Sequence, residues 1–179
     1  VGYSGGLVLE PFLGFFDEPV AVPDFKSLYP STMYDGNYCY TTLVKHDRYL
    51  NIPGAKYNKV YVSEDRFHTF VMNYVGIVPR ILKCLLDSRD VRKKAMGAAK
   101  TPIEKTIHNG AQLALKVSAN SIYGFTGVDP AKSLLPCMAI AETTTGQGRR
   151  STITSVDFVE DLSNLREIVM CDDYLPLDY

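Results

Sequence analysis

The sequence predicts an α+β fold, in which short strands with helices precede a pair of long helices. Three observations point to it. Short apolar runs of strand length, bounded by turn residues, recur through the first 62 of the 179 residues. An amphipathic stripe follows Pro79, with Ile81, Leu82, Leu85 and Leu86 at helical spacing. A second long helical run follows Gly97 and Pro102, so the two helices can fold back on each other.

Taken in order, Leu7-Val8-Leu9 and Val20-Ala21-Val22 are expected strands, with turn-rich Pro11 to Pro19 between them. A helix is expected from Ser27 to about Asn37, with Pro30 in its first turn, where a missing N–H does no harm. Thr41 to Val44 and Lys59 to Val62 read as strands around a loop at Asn51 to Lys56, and Ser63-Glu64-Asp65 has the chemistry of a helix cap. The helix after Pro79 continues through Arg89, Arg92 and Lys93 to a turn marked by Gly97 and Pro102. The next is expected from Glu104 to Tyr123, ended by Gly124, and a third from Pro136 through Arg149-Arg150 toward Leu162.

The composition is 46% hydrophobic and 22% charged, which excludes disorder, collagen-like repeats and a disulfide-dense miniprotein. No apolar run approaches the ~18 residues of a membrane span, so a soluble chain with no membrane partner is expected. Neither end carries a leader, a cap or a polar tail, and both read as cuts. Cys39, Cys84, Cys137 and Cys171 show no Cys-x-x-Cys spacing and suit a reducing, intracellular compartment. His46, His68 and His108 are too scattered for a histidine-based site.

The net charge of −1 hides a polarised chain: residues 1–36 carry −4, 37–79 carry +2, 80–116 carry +6, 117–156 carry +1 and 157–179 carry −6. Nine bases in residues 80–116, interrupted by Gly97 and Pro102, suggest a hairpin that meets polyanions, although single lysines such as Lys94 or Lys105 suit a plain solvated face.

Two stretches carry chemistry. In Asp24-Phe25-Lys26-Ser27-Leu28-Tyr29-Pro30-Ser31, a carboxylate at a strand-to-helix junction can hold Mg²⁺, and the N–H groups of Ser27 and Leu28 can meet phosphate. For Asp24 taken alone, a helix cap is the better reading. In Lys116-Val-Ser-Ala-Asn120-Ser-Ile-Tyr123-Gly124, the cation, amide and aromatic share one helical face. A surface face with a core tyrosine is the plainer alternative. Arg89 and Lys93, four apart on the preceding helix, would face the same cleft if the helices run antiparallel. Gly146-Gln147-Gly148 is a weak GxG with no strand before it, and no Gly-x-x-x-x-Gly-Lys-Ser/Thr loop is present, which argues against a P-loop kinase.

These stretches resemble family B DNA polymerases. Asp24 to Ser31 matches their motif A, D-x-x-S-L-Y-P-S, and Lys116 to Gly124 matches motif B, K-x-x-x-N-S-x-Y-G. Residues 76–98 and 111–127, together with Asn37 to Leu43, resemble the delta-like branch that includes the polymerases of large DNA viruses. The likeness implies a partial palm over 1–78, an antiparallel sheet with helices, carrying an antiparallel hairpin of fingers helices over 79–125, and a return to the palm over 126–179. It implies template-directed addition of deoxyribonucleotides to a primer 3′ end by two-metal phosphoryl transfer. Asp24 would be catalytic, with Asp24 and Phe25 holding Mg²⁺. Ser27, Leu28, Tyr29, Arg89, Lys93, Lys116 and Asn120 would bind nucleotide, and Tyr123 and Gly124 would meet DNA. Tyr29 would lie under the sugar and leave no room for a 2′-hydroxyl. Arg149-Arg150 would reach backbone phosphate or form a solvated end. Implied partners are primer-template DNA, deoxyribonucleoside triphosphates and a processivity factor, in a nucleus or the host cell of a large DNA virus.

Two departures stand out. Motif C, Y-G-D-T-D-S, is absent, and Asp172-Asp173 lacks its turn glycine and spacing, so the second metal carboxylate is expected outside this chain and the isolated chain is expected to be inactive. Lys26 stands where the family has a small residue, and Thr32 is a lesser deviation. The alternative is a catalytically inactive nucleic-acid-binding module on a polymerase scaffold. Retention of Asp24, Arg89, Lys93 and Lys116 argues against it.

Overall fold

The computed structural model describes residues 5–11, 13–17, 24–129, 131–132 and 134–169, and of 162–169 the backbone alone. In order come α1 (Leu28–Asp35), β1 (Tyr57–Tyr61), β2 (Phe67–Val71), α2 (Ile77–Ala98), α3 (Pro102–Thr126) and α4 (Met138–Val169), with a single 3₁₀ turn at Asp47–Tyr49. Among the described residues there are four α-helices and one two-stranded antiparallel sheet.

The strands pair Tyr57 with Val71 and Val60 with His68, a register that turns Val60 and Phe70 into the core. Ser63-Glu64-Asp65 forms the tip of this hairpin, closed by Val62 N–H to Arg66 O at 2.8 Å, and caps no helix. Hydroxyl and carboxylate residues suit tight turns as well as caps, and the pairing of Phe67–Val71 decided between them. Thr41–Val44 shrinks to a single bridge, Leu43 to Phe70. The amides of Thr42 and Leu43 turn back to Cys39 O, which removes them from a continuous ladder. Leu7-Val8-Leu9 is exposed and irregular instead of a strand, while Val20-Ala21-Val22 and Asp172-Asp173 lie outside the described residues.

α2, α3 and α4 run longer than their sequence signals, whereas α1 is shorter than the expected Ser27 to Asn37, because Ser27 and Asn37 both take left-handed backbone. Pro79 sits in the first turn of α2, and Gly97 lies inside that helix, leaving Ala99 to Thr101 as the turn. α3 starts at Pro102 with a capping box: the Glu104 N–H donates to Thr101 Oγ1 at 3.2 Å, and the Thr101 N–H donates to Glu104 Oε2 at 3.2 Å. The Thr101 N–H, with the Lys100 N–H at 3.1 Å, donates to the ionised carboxylate and holds the Glu104 pKa below the usual carboxylate value. α3 passes through Gly124 and ends at Thr126. Thr143, Thr144 and Thr145 are buried in α4 despite their branched side chains, because each hydroxyl donates to the carbonyl four residues back. Among the described residues, no helix is long and apolar enough to cross a membrane.

Met33, Phe70, Leu82 and Ile140 are fully buried and, with Tyr38, Val60 and Ala119, form one core where α1, the hairpin and the bases of α2, α3 and α4 meet. The Tyr38 and Phe70 rings lie 4.8 Å apart, and burial raises the Tyr38 phenol pKa to about 12. Only Pro79 and Leu82 are buried in α2, so the α2–α3 hairpin projects from the core as an arm. Glu142, buried in α4, holds that helix to β2 through His68 (2.5 Å) and Arg66 (3.1 Å).

Asn37 joins these parts. It is buried, with φ of 56°. Its amide donates to Val71 O (2.7 Å) and Tyr74 O (2.8 Å), and its Oδ1 accepts from Gly76 N–H (2.9 Å). Gly76 passes so near that a Cβ there would stand 2.6 Å from that of Cys39. Asn37→Ala would remove the partner of the buried Gly76 N–H and of two part-buried carbonyls, and place a less tolerant residue in the left-handed region. We expect a loss of about 3 kcal/mol or more, read as a lower denaturation midpoint. Asn37→Gly, which relieves only the backbone strain, should be destabilised nearly as much.

Candidate active site

The chain approaches α1 through Asp24 and Phe25, turns at Lys26-Ser27 and enters the helix at Leu28. Ser27 holds φ 58° and ψ 56°, a left-handed conformation that is uncommon for serine, and its side chain makes no cap. Its hydroxyl instead accepts from Arg89 Nη1 at 2.9 Å. Arg89 Nε also donates to Gln112 Oε1 at 3.3 Å, and Gln112 donates to Asn109 Oδ1 at 3.0 Å. The guanidinium therefore bridges both helices of the arm and the loop before α1.

Around this bridge lies a cleft of about 680 Å³. One wall is the continuous stretch Asp24 to Tyr29, a second is Arg89 and Lys93 from α2, and a third is Lys116, Asn120 and Tyr123 from α3. Ten of the eleven residues singled out from the sequence thus line one space, with Lys26 added. Gly124 is the exception: it sits exposed on α3, outside the lining, with open space where a Cβ would project. Three cations from the arm face a single carboxylate, Asp24, so the cleft attracts anions.

Two further contacts shape the walls. The Tyr29 and Tyr123 rings lie 4.6 Å apart at 33°, joining the first turn of α1 to α3. Lys26 Nζ donates to Asp90 Oδ2 at 2.6 Å, so the residue that departs from the motif A pattern holds the loop to α2. This hydrogen bond, with Lys26, Lys93 and Arg89 nearby, keeps the Asp90 pKa below the usual aspartate value. Arg149 and Arg150 are engaged within the chain, Arg149 donating to Gly5 O (2.5 Å) and Arg150 to Tyr61 O (3.0 Å).

Sequence reasoning missed Asp90 and Gln112 as positioning groups. Gln112 lies four residues before Lys116 and eight before Asn120, so helical spacing could have flagged it. Asp90 had no such signal, because its partner comes from a distant loop. Asp24 also borders a second, largely apolar groove of about 470 Å³ with Leu9, Phe25, Leu28 and α4 residues Thr152, Ser155 and Val156. Among the described residues, no group of three or more His, Cys, Asp or Glu could enclose a metal ion.

A carboxylate whose pKa is lowered in the folded state adds stability above its ordinary pKa and loses it as pH falls through the lowered value. Lys26→Ala should therefore raise the Asp90 titration midpoint toward the usual aspartate value, as followed by carboxyl-carbon NMR. The exposed pair should cost at most about 1 kcal/mol when broken, and only above that midpoint.

Comparison with known proteins follows this geometry. The model of DNA polymerase family B matches residues 1–175. The chain is 44% identical over 163 residues to a DNA polymerase delta catalytic subunit from Glycine max, covering 89% of this chain and 14% of that protein. It is 39% identical over 173 residues to the DNA polymerase catalytic subunit of Human herpesvirus 8 type P, covering 90% and 16%. The family B DNA polymerase of Pyrobaculum calidifontis shares the fold, with a TM-score of 0.64 at 24% identity over 76% of this chain and 17% of that one. The chain thus spans about one seventh of the length of its delta-type relatives (14%). With nearly every residue covered by the family model, the chain belongs to DNA polymerase family B.

Proposed function

We propose that this chain contributes the motif A part of the palm, within residues 1–78, and the fingers, within 79–125, to a replicative DNA-directed DNA polymerase, with 126–179 returning to the palm. The observation that carries this reading is the convergence of Asp24, Arg89, Lys93 and Lys116 on one cleft. Phosphoryl transfer needs in-line positioning and neutralisation of spreading charge, and these groups suit both needs.

The Asp24 carboxylate and the Phe25 carbonyl are hard oxygen donors at the cleft wall, a chemistry that fits Mg²⁺, and a second carboxylate would come from outside the described residues. When bound, two Mg²⁺ ions supply activation of the primer 3′-oxygen and neutralisation of the departing pyrophosphate. This chain's own groups do the positioning. Lys93 and Lys116 would hold the triphosphate from the two arm helices, and Arg89 would exchange its neutral Ser27 hydroxyl acceptor for an anionic phosphate oxygen. The Ser27 and Leu28 amides would meet the same phosphates. The Tyr29 ring, backed by Tyr123, would lie under the deoxyribose. Asn120 would line the nucleotide pocket, and Tyr123 with Gly124 would lie against the nascent base pair and template.

The partners proposed are primer-template DNA, deoxyribonucleoside triphosphates and a processivity factor. The relatives' replicative class suits a nucleus or the host cell of a large DNA virus, and free Cys39, Cys84 and Cys137 suit a reducing compartment.

The decisive test is Asp24→Asn in the full-length polymerase. Nucleotide incorporation should be abolished while primer-template affinity stays near wild type, and wild-type-like incorporation would contradict the role given to Asp24. Lys116→Ala should raise the KM for deoxyribonucleotide about ten- to a hundredfold, the value of one charge-assisted phosphate bond, with DNA affinity unchanged.

A further inference from the structure

Tyr29 is enclosed on three sides. Tyr123 covers one ring face, at 4.6 Å between centroids. The backbone of Gly6 stands at the phenol end, where a Cβ would come within 2.5 Å of the Tyr29 hydroxyl oxygen. Arg149 of α4 fixes this N-terminal stretch by donating to Gly5 O at 2.5 Å. The third side is α4 itself: a Cβ at Gly148 would lie 3.1 Å from Tyr29 Cε1 and 3.6 Å from Cδ1, with Leu28 Cδ2 also at 3.6 Å.

Gly148 is buried and lies outside the cleft lining, whereas Tyr29 lines it, so α4 backs the ring on the side away from the cleft. Glycine in the middle of a long helix is disfavoured by about 1 kcal/mol relative to alanine, so its presence calls for a local reason. Helical φ and ψ supply none, and the nearest neighbours of the missing Cβ among the described residues are the Tyr29 ring edge and Leu28. Gly146, two residues earlier in the same helix, differs: a Cβ there would make ordinary contacts at 3.7 Å with Val62 and Arg149.

We propose that Gly148 is a positioning residue for sugar selectivity, setting the depth at which the Tyr29 ring stands in the cleft. The inference rests on the reading that Tyr29 lies under the sugar. An alanine methyl at Gly148 drives the ring edge a few tenths of an ångström toward the cleft, because Tyr123 and Gly6 block the other exits. The nucleotide sugar then meets a tighter floor, and the ribose 2′-hydroxyl suffers most.

The test measures kcat/KM for a deoxyribonucleotide and its matching ribonucleotide in the full-length polymerase, comparing Gly148→Ala, Gly146→Ala, Tyr29→Ala and Tyr29→Ala/Gly148→Ala. Gly148→Ala should raise the deoxy-to-ribo ratio about fivefold or more, in line with a packed ring forced off its rotamer, and should raise the KM for deoxyribonucleotide. Gly146→Ala, with the same gain in helix propensity, should leave the ratio unchanged. In the Tyr29→Ala background, Gly148→Ala should have no further effect, which assigns the coupling to the ring. An unchanged or lowered ratio in Gly148→Ala, or an equal shift in both backgrounds, would overturn the proposal. If Gly148→Ala fails to fold, the double variant should restore the melting temperature, and its failure to do so would also overturn it. Tyr29→Ala alone tests the underlying reading: a ratio unaltered by loss of the ring would refute the placement of Tyr29 under the sugar, separately from the role of Gly148.

Discussion

Buried Asn37 ties the end of α1, the end of β2 and the start of α2 through three side-chain hydrogen bonds. Its backbone reverses the chain in the left-handed region, which asparagine tolerates better than most residues. Glycine would allow the turn but leave the three backbone groups unpaired. Aspartate would keep the acceptor but lose both donors. The rest of the fold depends on this joint because α1 carries Tyr29 and follows Asp24, whereas α2 carries Arg89 and Lys93. A shift at Asn37 would move one wall of the cleft against the other.

Beyond the joint, polar contacts of moderate strength set the distance between the arm and the loop before α1. Arg89 reaches Ser27, and Lys26 reaches Asp90, across the mouth of the cleft. Only Pro79 and Leu82 of α2 are buried, so little apolar packing resists movement of the arm. An exposed ion pair contributes about 1 kcal/mol or less, and a hydrogen bond from a charged donor to a neutral hydroxyl about 1.5–3 kcal/mol. Such contacts can be exchanged for stronger ones to phosphate, and the geometry therefore suits an arm that responds to an anionic ligand.

The parts legible in the sequence were those with local signals. The α2–α3 hairpin was readable from its apolar stripe and from the Gly97 to Pro102 break, and the cleft from residues at helical spacing on two facing helices. Asp24, Tyr29 and Lys116 stand in the stretches that match motif A and motif B. What escaped was non-local. Phe67–Val71 was overlooked because its alternation is short and only its pairing with Tyr57–Tyr61 reveals it. Ser63-Glu64-Asp65 suits a helix cap and a hairpin tip equally, and tertiary pairing decided. The Lys26–Asp90 pair joins residues 64 positions apart, and nothing in either neighbourhood announces the other. Gly148 reads in the sequence as half of a weak GxG, and only the fold sets it against Tyr29.

The central claim is that the triphosphate of an incoming nucleotide lies between the Asp24 loop and the arm cations. A deoxyribonucleotide carrying an amine-reactive aldehyde on its γ-phosphate tests it most directly, bound to the full-length polymerase on primer-template and trapped by reduction. The account predicts labelling of Lys93 or Lys116, suppressed by excess unmodified nucleotide. Labelling confined to Lys56 and Lys59 on the β1–β2 side, with Lys93 and Lys116 untouched, would contradict it.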